Sequence, residues 1–206
     1  MKILTVVSHP RTNSLTFAVA ERFVSGLTDA GHKVEVLDLH RIGFDPVLWE
    51  ADEPDWNNGN KQYSPEVEIE MERMRKHDAL AFIFPIWWFS MPAMLKGYID
   101  RVWNNGFAYG SRKLHHKQAL WIGLAAAPED HFAKRNYDQM MAHQLNIGIS
   151  SYVGINDSRV EFLYDTLAQN PAHIEQLLER GYQMGFHYEK KESARLISEK
   201  KPSFLV

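Results

Sequence analysis

Phe84-Pro85-Ile86-Trp87-Trp88-Phe89-Ser90-Met91-Pro92-Ala93-Met94-Leu95-Lys96-Gly97-Tyr98-Ile99-Asp100-Arg101-Val102-Trp103-Asn104-Asn105-Gly106 passes from the end of a strand, through an aromatic loop between two prolines, into an amphipathic helix. Upstream, Ala79 to Phe84 is a continuous apolar run, as expected of a strand covered on both faces. Trp87, Trp88 and Phe89 at the mouth of that strand would form a costly exposed surface unless something flat covered them. A planar cofactor is the economical cover. Between Ala79 and Leu95 only Ser90 is polar, but Pro85 and Pro92 interrupt the run and it is too short to cross a bilayer.

Working outward, Lys2 to Val7 reads as a β-rich strand, and Leu15, Val19, Phe23 and Leu27 recur every four residues as the stripe of a helix lying on a sheet. Gly31 stops that helix, and Lys33 to Leu39 alternates as a second strand. The segment from His40 to Tyr63, with Gly43, Pro46, Pro54 and Asn57-Asn58-Gly59-Asn60, reads as a long irregular excursion. Ser64-Pro65 opens a helix, with Glu66 and Glu68 in its first turn and Val67, Met71 and Met74 on one face. Ala119 to Ala127 is a further apolar strand. Asn170-Pro171 opens a last helix whose stripe is Ile174, Leu177, Leu178, Gly181, Tyr182 and Gly185. Strands alternating with helices, with apolar central strands, predict an α/β fold: an open, doubly wound parallel sheet with helices on both faces.

No repeat, low-complexity tract or linker divides the chain, so a single domain over 1–206 is expected, its tail beyond about 192 extended. A length of 206 residues suffices for a core without staples. Zero cysteines remove disulfides, thiolate catalysis and the usual zinc cages, and the histidines show no metal-ligand spacing. The start, Met1 to Val7, is too brief and too polar-flanked for a signal peptide, which favours a cytoplasmic protein. A net charge of −3 with mixed signs offers no basic stripe, arguing against nucleic acid as a partner.

In such a sheet, ligands sit beyond the carboxyl ends of the strands. The first strand ends in Ser8-His9-Pro10-Arg11-Thr12-Asn13-Ser14-Leu15-Thr16, rich in hydroxyls and leading into a helix N-terminus, where a phosphate belongs. This loop lacks both G-x-G-x-x-G and a P-loop Gly-Lys-Ser/Thr. The third strand ends in the aromatic loop. The fourth ends in Ala125-Ala126-Ala127-Pro128, whose small residues would let a flat ring approach the backbone.

Ser8-His9 with Asn13-Ser14-Leu15-Thr16, Ser64-Pro65-Glu66-Val67, the run from Phe84 to Gly97, and Gly106-Phe107-Ala108-Tyr109-Gly110 resemble the flavodoxin-like NAD(P)H:quinone oxidoreductases, the DT-diaphorase group. The likeness covers roughly the whole chain. It implies a flavodoxin-like five-stranded parallel sheet and a homodimer with a flavin at each of two inter-subunit sites. Nicotinamide (NADH or NADPH) and a quinone-like substrate would use one pocket in turn, by a ping-pong mechanism. Position by position, His9, Ser14, Leu15 and Thr16 would hold the phosphate end of the flavin. Pro85, Ile86, Trp87, Trp88 and Phe89 would cradle its ring, and Tyr109 would reach the substrate from the partner chain. The chain departs from the family's Thr-Gly-Gly turns at Ala125-Ala126-Ala127-Pro128, and His131, Phe132 and Tyr137 are the candidates for the side chains that follow. The length of the excursion from His40 to Tyr63 would let it lie over an adenine, which leans the cofactor toward FAD, with FMN as the alternative.

The flavin carries the hydride chemistry, so the protein must supply a stacking slot and donors for the negative charge of the reduced ring. Backbone N–H groups of Trp87 to Phe89 and of Ala126 and Ala127 are the candidates. Two other classes stay open: an ancillary subunit docking peripherally to a potassium efflux system, and a flavodoxin-type electron carrier. More plainly, His115-His116 reads as a solvated loop, the glutamates from Glu66 to Glu72 as a wetted helix face, and Lys190-Lys191 with Lys200-Lys201 as a solvated tail.

Overall fold

The computed structural model describes residues 1–189, so the tail expected beyond about 192 and its lysine pairs lie outside the described residues. Five parallel strands form one sheet: β1 (Lys2–Val7), β2 (Lys33–Asp38), β3 (Ala79–Pro85), β4 (Ala119–Leu124) and β5 (Ser158–Leu163), in the order β2-β1-β3-β4-β5. β3 and β4 are buried at every position, as their unbroken apolar runs require. The helices are α1 (Leu15–Asp29), α2 (Pro65–Arg75), α3 (Ala93–Val102), α4 (Glu129–Ala133), α5 (Tyr137–His143) and α6 (Pro171–Phe186). α5 runs on into a wide π-helical stretch, Gln144–Ser151. Among the described residues, no helix is long and apolar enough to cross a membrane.

Strand side chains alternate between two cores. Leu4, Val6, Leu80, Phe82 and Phe84 meet Val67, Met71 and Met74 of α2 and Leu95 and Tyr98 of α3. On the opposite face, Ile3, Val7, Ala81 and Ile83 meet Val19, Phe23 and Leu27 of α1 and Leu177 of α6. α1 and α6 touch backbone to backbone. A Cβ on Gly26 would lie 2.1 Å from the Tyr182 carbonyl oxygen, and one on Gly185 would lie 2.1 Å from that of Phe23, so only glycine permits this approach. The order of connection reverses between β1 and β3, which places the ligand crevice at their carboxyl ends.

The excursion is latched rather than loose. Buried Asp52 accepts from the Ser64 N–H at 2.7 Å, the Ser64 hydroxyl at 2.9 Å, and Arg101 of α3 at 2.7 and 3.1 Å. Arg101 also bonds Glu66 at 2.6 Å and the Asp45 carbonyl. Burial alone would raise the Asp52 carboxyl, but the Ser64 and Arg101 donors outweigh it and hold it below the usual carboxylate range.

Two readings of surface residues are corrected here. Glu70, read as part of a wetted face, is buried, paired with Arg73 at 3.0 Å and facing the Tyr98 hydroxyl at 3.4 Å. His116, read as a solvated loop residue, is buried too, with Nε2 3.0 Å from the Met74 carbonyl oxygen. Burial lowers the His116 pKa to about 4, against an ordinary value of 6.5. Between these values the unfolded chain binds a proton that the folded chain refuses. Stability is therefore complete above about pH 6.5 and lost as pH falls toward 4, by on the order of 3 kcal/mol. Urea midpoints measured across this window should fall with pH in the native chain and fall less in His116→Gln.

Candidate active site

The carboxyl ends of β1, β3 and β4 converge. Ser14 caps α1, its Oγ accepting the Phe17 N–H at 3.4 Å, while the backbone N–H groups of Thr12, Asn13, Ser14, Leu15 and Thr16 have no partner within the described residues. His9 Nδ1 lies 3.0 Å from both the N–H and the carbonyl oxygen of Arg11, which ties the ring to the loop backbone. Burial lowers the His9 pKa, outweighing the opposing hydrogen bond to the Arg11 backbone, so the ring is neutral at pH 7. Ser8 is fully buried at the end of β1, and its hydroxyl also lacks a partner among the described residues.

The aromatic loop adjoins this one, with the rings of His9 and Trp87 6.3 Å apart. Trp87 and Ser90 exchange both backbone hydrogen bonds at 3.1 Å, enclosing Trp88 and Phe89 at φ 52° and 54°. That is a type I′ turn, whose two left-handed positions ordinarily hold Asn-Gly. Each non-glycine there costs ~1–2 kcal/mol. Trp88, moreover, is 96% exposed, so no packing among the described residues offsets its strain. The turn also corrects one expectation: the Trp87 N–H is consumed by Ser90, leaving those of Trp88 and Phe89 unpaired among the described residues.

The β4 end closes the third side. The Ala125 carbonyl accepts from the Thr166 N–H and the Ala127 carbonyl from the Asp165 N–H, whereas the N–H groups of Ala126 and Ala127 stay unpaired among the described residues. Phe89 stacks on Tyr137 at 3.8 Å and meets Phe132 edge-on at 5.7 Å. Tyr137 thus joins the aromatic turn. His131 sits exposed on α4, its ring 6.2 Å from that of Tyr137. Tyr109 lies apart from this group, with Trp56 at 5.6 Å and Tyr152 at 5.8 Å as its ring partners. Neither Trp56 nor Tyr152 was singled out from the sequence, because their neighbourhood depends on how the excursion folds.

Residues 1–184 match the model of a family described as having a flavodoxin-like fold. An Escherichia coli protein named as an uncharacterised NAD(P)H oxidoreductase, YcaK, is 42% identical over 81% of this chain and 85% of its own length. The chain belongs to the flavodoxin-like NAD(P)H:quinone oxidoreductase family. A similar Haemophilus influenzae NAD(P)H oxidoreductase is 30% identical over 80% of this chain and 84% of its own. The solved NAD(P)H:quinone oxidoreductase of Methanothermobacter marburgensis superposes with a TM-score of 0.88 at 30% identity, covering 94% of this chain and 98% of that one. Members of this family are enzymes, and the chain is an oxidoreductase of the NAD(P)H class. Its strand ends fit a phosphorylated planar group: unpaired N–H groups and a buried orphan hydroxyl at one end, an uncovered aromatic turn facing small alanines at the other.

Proposed function

We propose that this chain is a flavin-dependent oxidoreductase that passes hydride from NADH or NADPH to a quinone or similar electrophile, donor and acceptor occupying one slot in turn. The observation that carries it is the continuity of the unpaired N–H groups at 12–16, through the His9 and Trp87 rings, with a strained turn whose Trp88 has no cover of its own. When bound, the flavin supplies the chemistry, taking up hydride and giving it up again.

The residues have the following parts in this reading. His9, Ser14, Leu15 and Thr16 would hold the phosphate, His9 through its ring and the others through backbone donors at the positive end of α1. Pro85 to Phe89 form the cradle, and Phe89 is held flat by Tyr137. The N–H groups of Ala126 and Ala127, unpaired among the described residues, would supply donors to the ring of a bound flavin. Tyr109, with Trp56 and Tyr152 beside it, serves the slot of a partner chain in a homodimer. His131, exposed at the rim, would meet substrate rather than cofactor.

FAD remains the favoured cofactor over FMN, with different support from that read in the sequence. Within the chain, Asp52 latches the excursion to α3, on the opposite sheet face from α1. An open groove of about 480 Å³ instead continues from Thr12, Asn13, Ser14 and Leu15 to Thr166 and Ile174, room enough for an adenosine. A cytoplasmic location, drawing on the cellular nicotinamide pool, completes the reading.

Initial rates over a matrix of NADPH and quinone concentrations test it. Parallel double-reciprocal lines are expected. If NAD(P)H bleaches the flavin absorbance rapidly but no quinone restores it faster than oxygen does, the quinone half of the reading is wrong.

A further inference from the structure

Arg41 stands just beyond the carboxyl end of β2, outside the set of residues read from the sequence. Its side chain joins three elements. Nε donates to Asp38 Oδ2 at 2.8 Å, one terminal amino group donates to the Pro10 carbonyl at 2.8 Å, and the other donates to the His9 carbonyl. The guanidinium also lies 5.5 Å from the ring centre of Phe17, in the first turn of α1. Asp38 is itself fixed, its Oδ1 accepting the N–H groups of His40 at 3.1 Å and Arg41 at 3.2 Å.

Two consecutive carbonyls drawn to one guanidinium define the orientation of two peptide planes, since each peptide group is rigid. The Pro10 carbonyl belongs to the same plane as the Arg11 N–H, which points away from Arg41 and lies 3.0 Å from His9 Nδ1, as the Arg11 carbonyl oxygen also does. Nδ1 is thereby held against the Arg11 backbone. Beyond it come the unpaired N–H groups of 12–16. A lysine would preserve the charge but not the planar fork that spans both carbonyls and Asp38.

We propose that Arg41 is the positioning residue of the phosphate-holding loop: it pins the His9 and Pro10 carbonyls, so that the His9 ring and the free N–H groups that follow stay turned toward the phosphorylated arm of the flavin. This rests on the flavin reading above. The group acts through the loop and makes no contact with the cofactor itself.

Binding of FMN, FAD and riboflavin to the native chain, Arg41→Gln, Arg41→Lys and Asp38→Asn tests it, measured by quenching of flavin fluorescence at 0.15 M salt. Arg41→Gln is expected to weaken FMN and FAD at least 10-fold while changing riboflavin, which lacks the phosphate, less than 3-fold. Arg41→Lys should bind FMN nearly as weakly as Arg41→Gln. Asp38→Asn, which leaves the guanidinium in place but frees its anchor, should weaken FMN by a smaller factor, and it carries the test if Arg41→Gln does not fold. Equal weakening of riboflavin and FMN would make the role merely structural and overturn the proposal. Full rescue by lysine would overturn it in favour of charge alone. Unchanged FMN affinity in Arg41→Gln would sink the proposal and leave the flavin reading standing, whereas a native chain that binds none of the three flavins would sink both.

Discussion

Asp52→Ala is expected to destabilise the fold by about 3–5 kcal/mol, because it leaves the Arg101 guanidinium buried without its main counter-charge. Both groups are almost wholly buried, at 1% and 4% exposure, so solvent cannot step in for the missing carboxylate. Ser64 would lose its partner as well, and with it the tether between the excursion and the start of α2. Glu66, more exposed, would hold the opposite side of the guanidinium and keep the loss from being larger. The companion change Asp52→Ala with Arg101→Met should cost less than Asp52→Ala alone, since removing both charges leaves no orphan. Urea denaturation of the three chains decides it. A single-mutant cost under about 1 kcal/mol, in the range of exposed pairs, would show that the latch is a surface contact in solution.

Trp88→Gly is expected to move stability and cofactor binding in opposite directions. Glycine relieves the left-handed position, and the indole it removes is 96% exposed, so the ligand-free fold should gain ~1 kcal/mol. Flavin affinity should fall roughly 10-fold or more, since stacking a planar ring on an aromatic side chain contributes about 1–3 kcal/mol. Strain retained at an uncovered aromatic is understandable if a ligand repays it. A chain stabilised by the change with undiminished flavin affinity would remove Trp88 from the cradle, and a destabilised one would show that the indole packs on something in solution. Thermal unfolding without flavin and a fluorescence titration with it separate these outcomes.

Much of the sheet could be read directly. Ala79 to Phe84 and Ala119 to Leu124 are apolar on both faces, and Leu15, Val19, Phe23 and Leu27 repeat with helical period, so sequence pattern and tertiary burial coincide. β5 escaped notice because Ser158-Arg159-Val160-Glu161 is an edge strand, half-exposed and charged, without the run that marks a central strand. α4 and α5 escaped because they are short and polar, and the turn between them depends on Asn136 in the left-handed region. Glu70 and His116 were misread for one shared reason. Spacing places a side chain on a face, but only the fold brings Tyr98 up to Glu70 and the Met74 carbonyl up to His116.

The candidate site was legible where chemistry is concentrated in one stretch, as in Ser8 to Thr16 and Pro85 to Phe89. It was not legible where partners come from distant segments. Arg41 meets His9 and Pro10 from 32 and 31 residues away, and Tyr137 meets Phe89 from across the β4 loop. The Trp87 N–H was counted as a free donor because a type I′ turn is not expected from Trp-Phe.

The account depends on a flavin held between the β1 loop and the Trp88 turn. Its most direct measurement is a titration of purified, flavin-free protein with FMN and FAD, following tryptophan fluorescence and the visible absorption band. Saturable binding is expected, with quenching of tryptophan emission that needs roughly 10-fold more nucleotide in Trp88→Gly. A colourless protein whose tryptophan emission is indifferent to both nucleotides would contradict it.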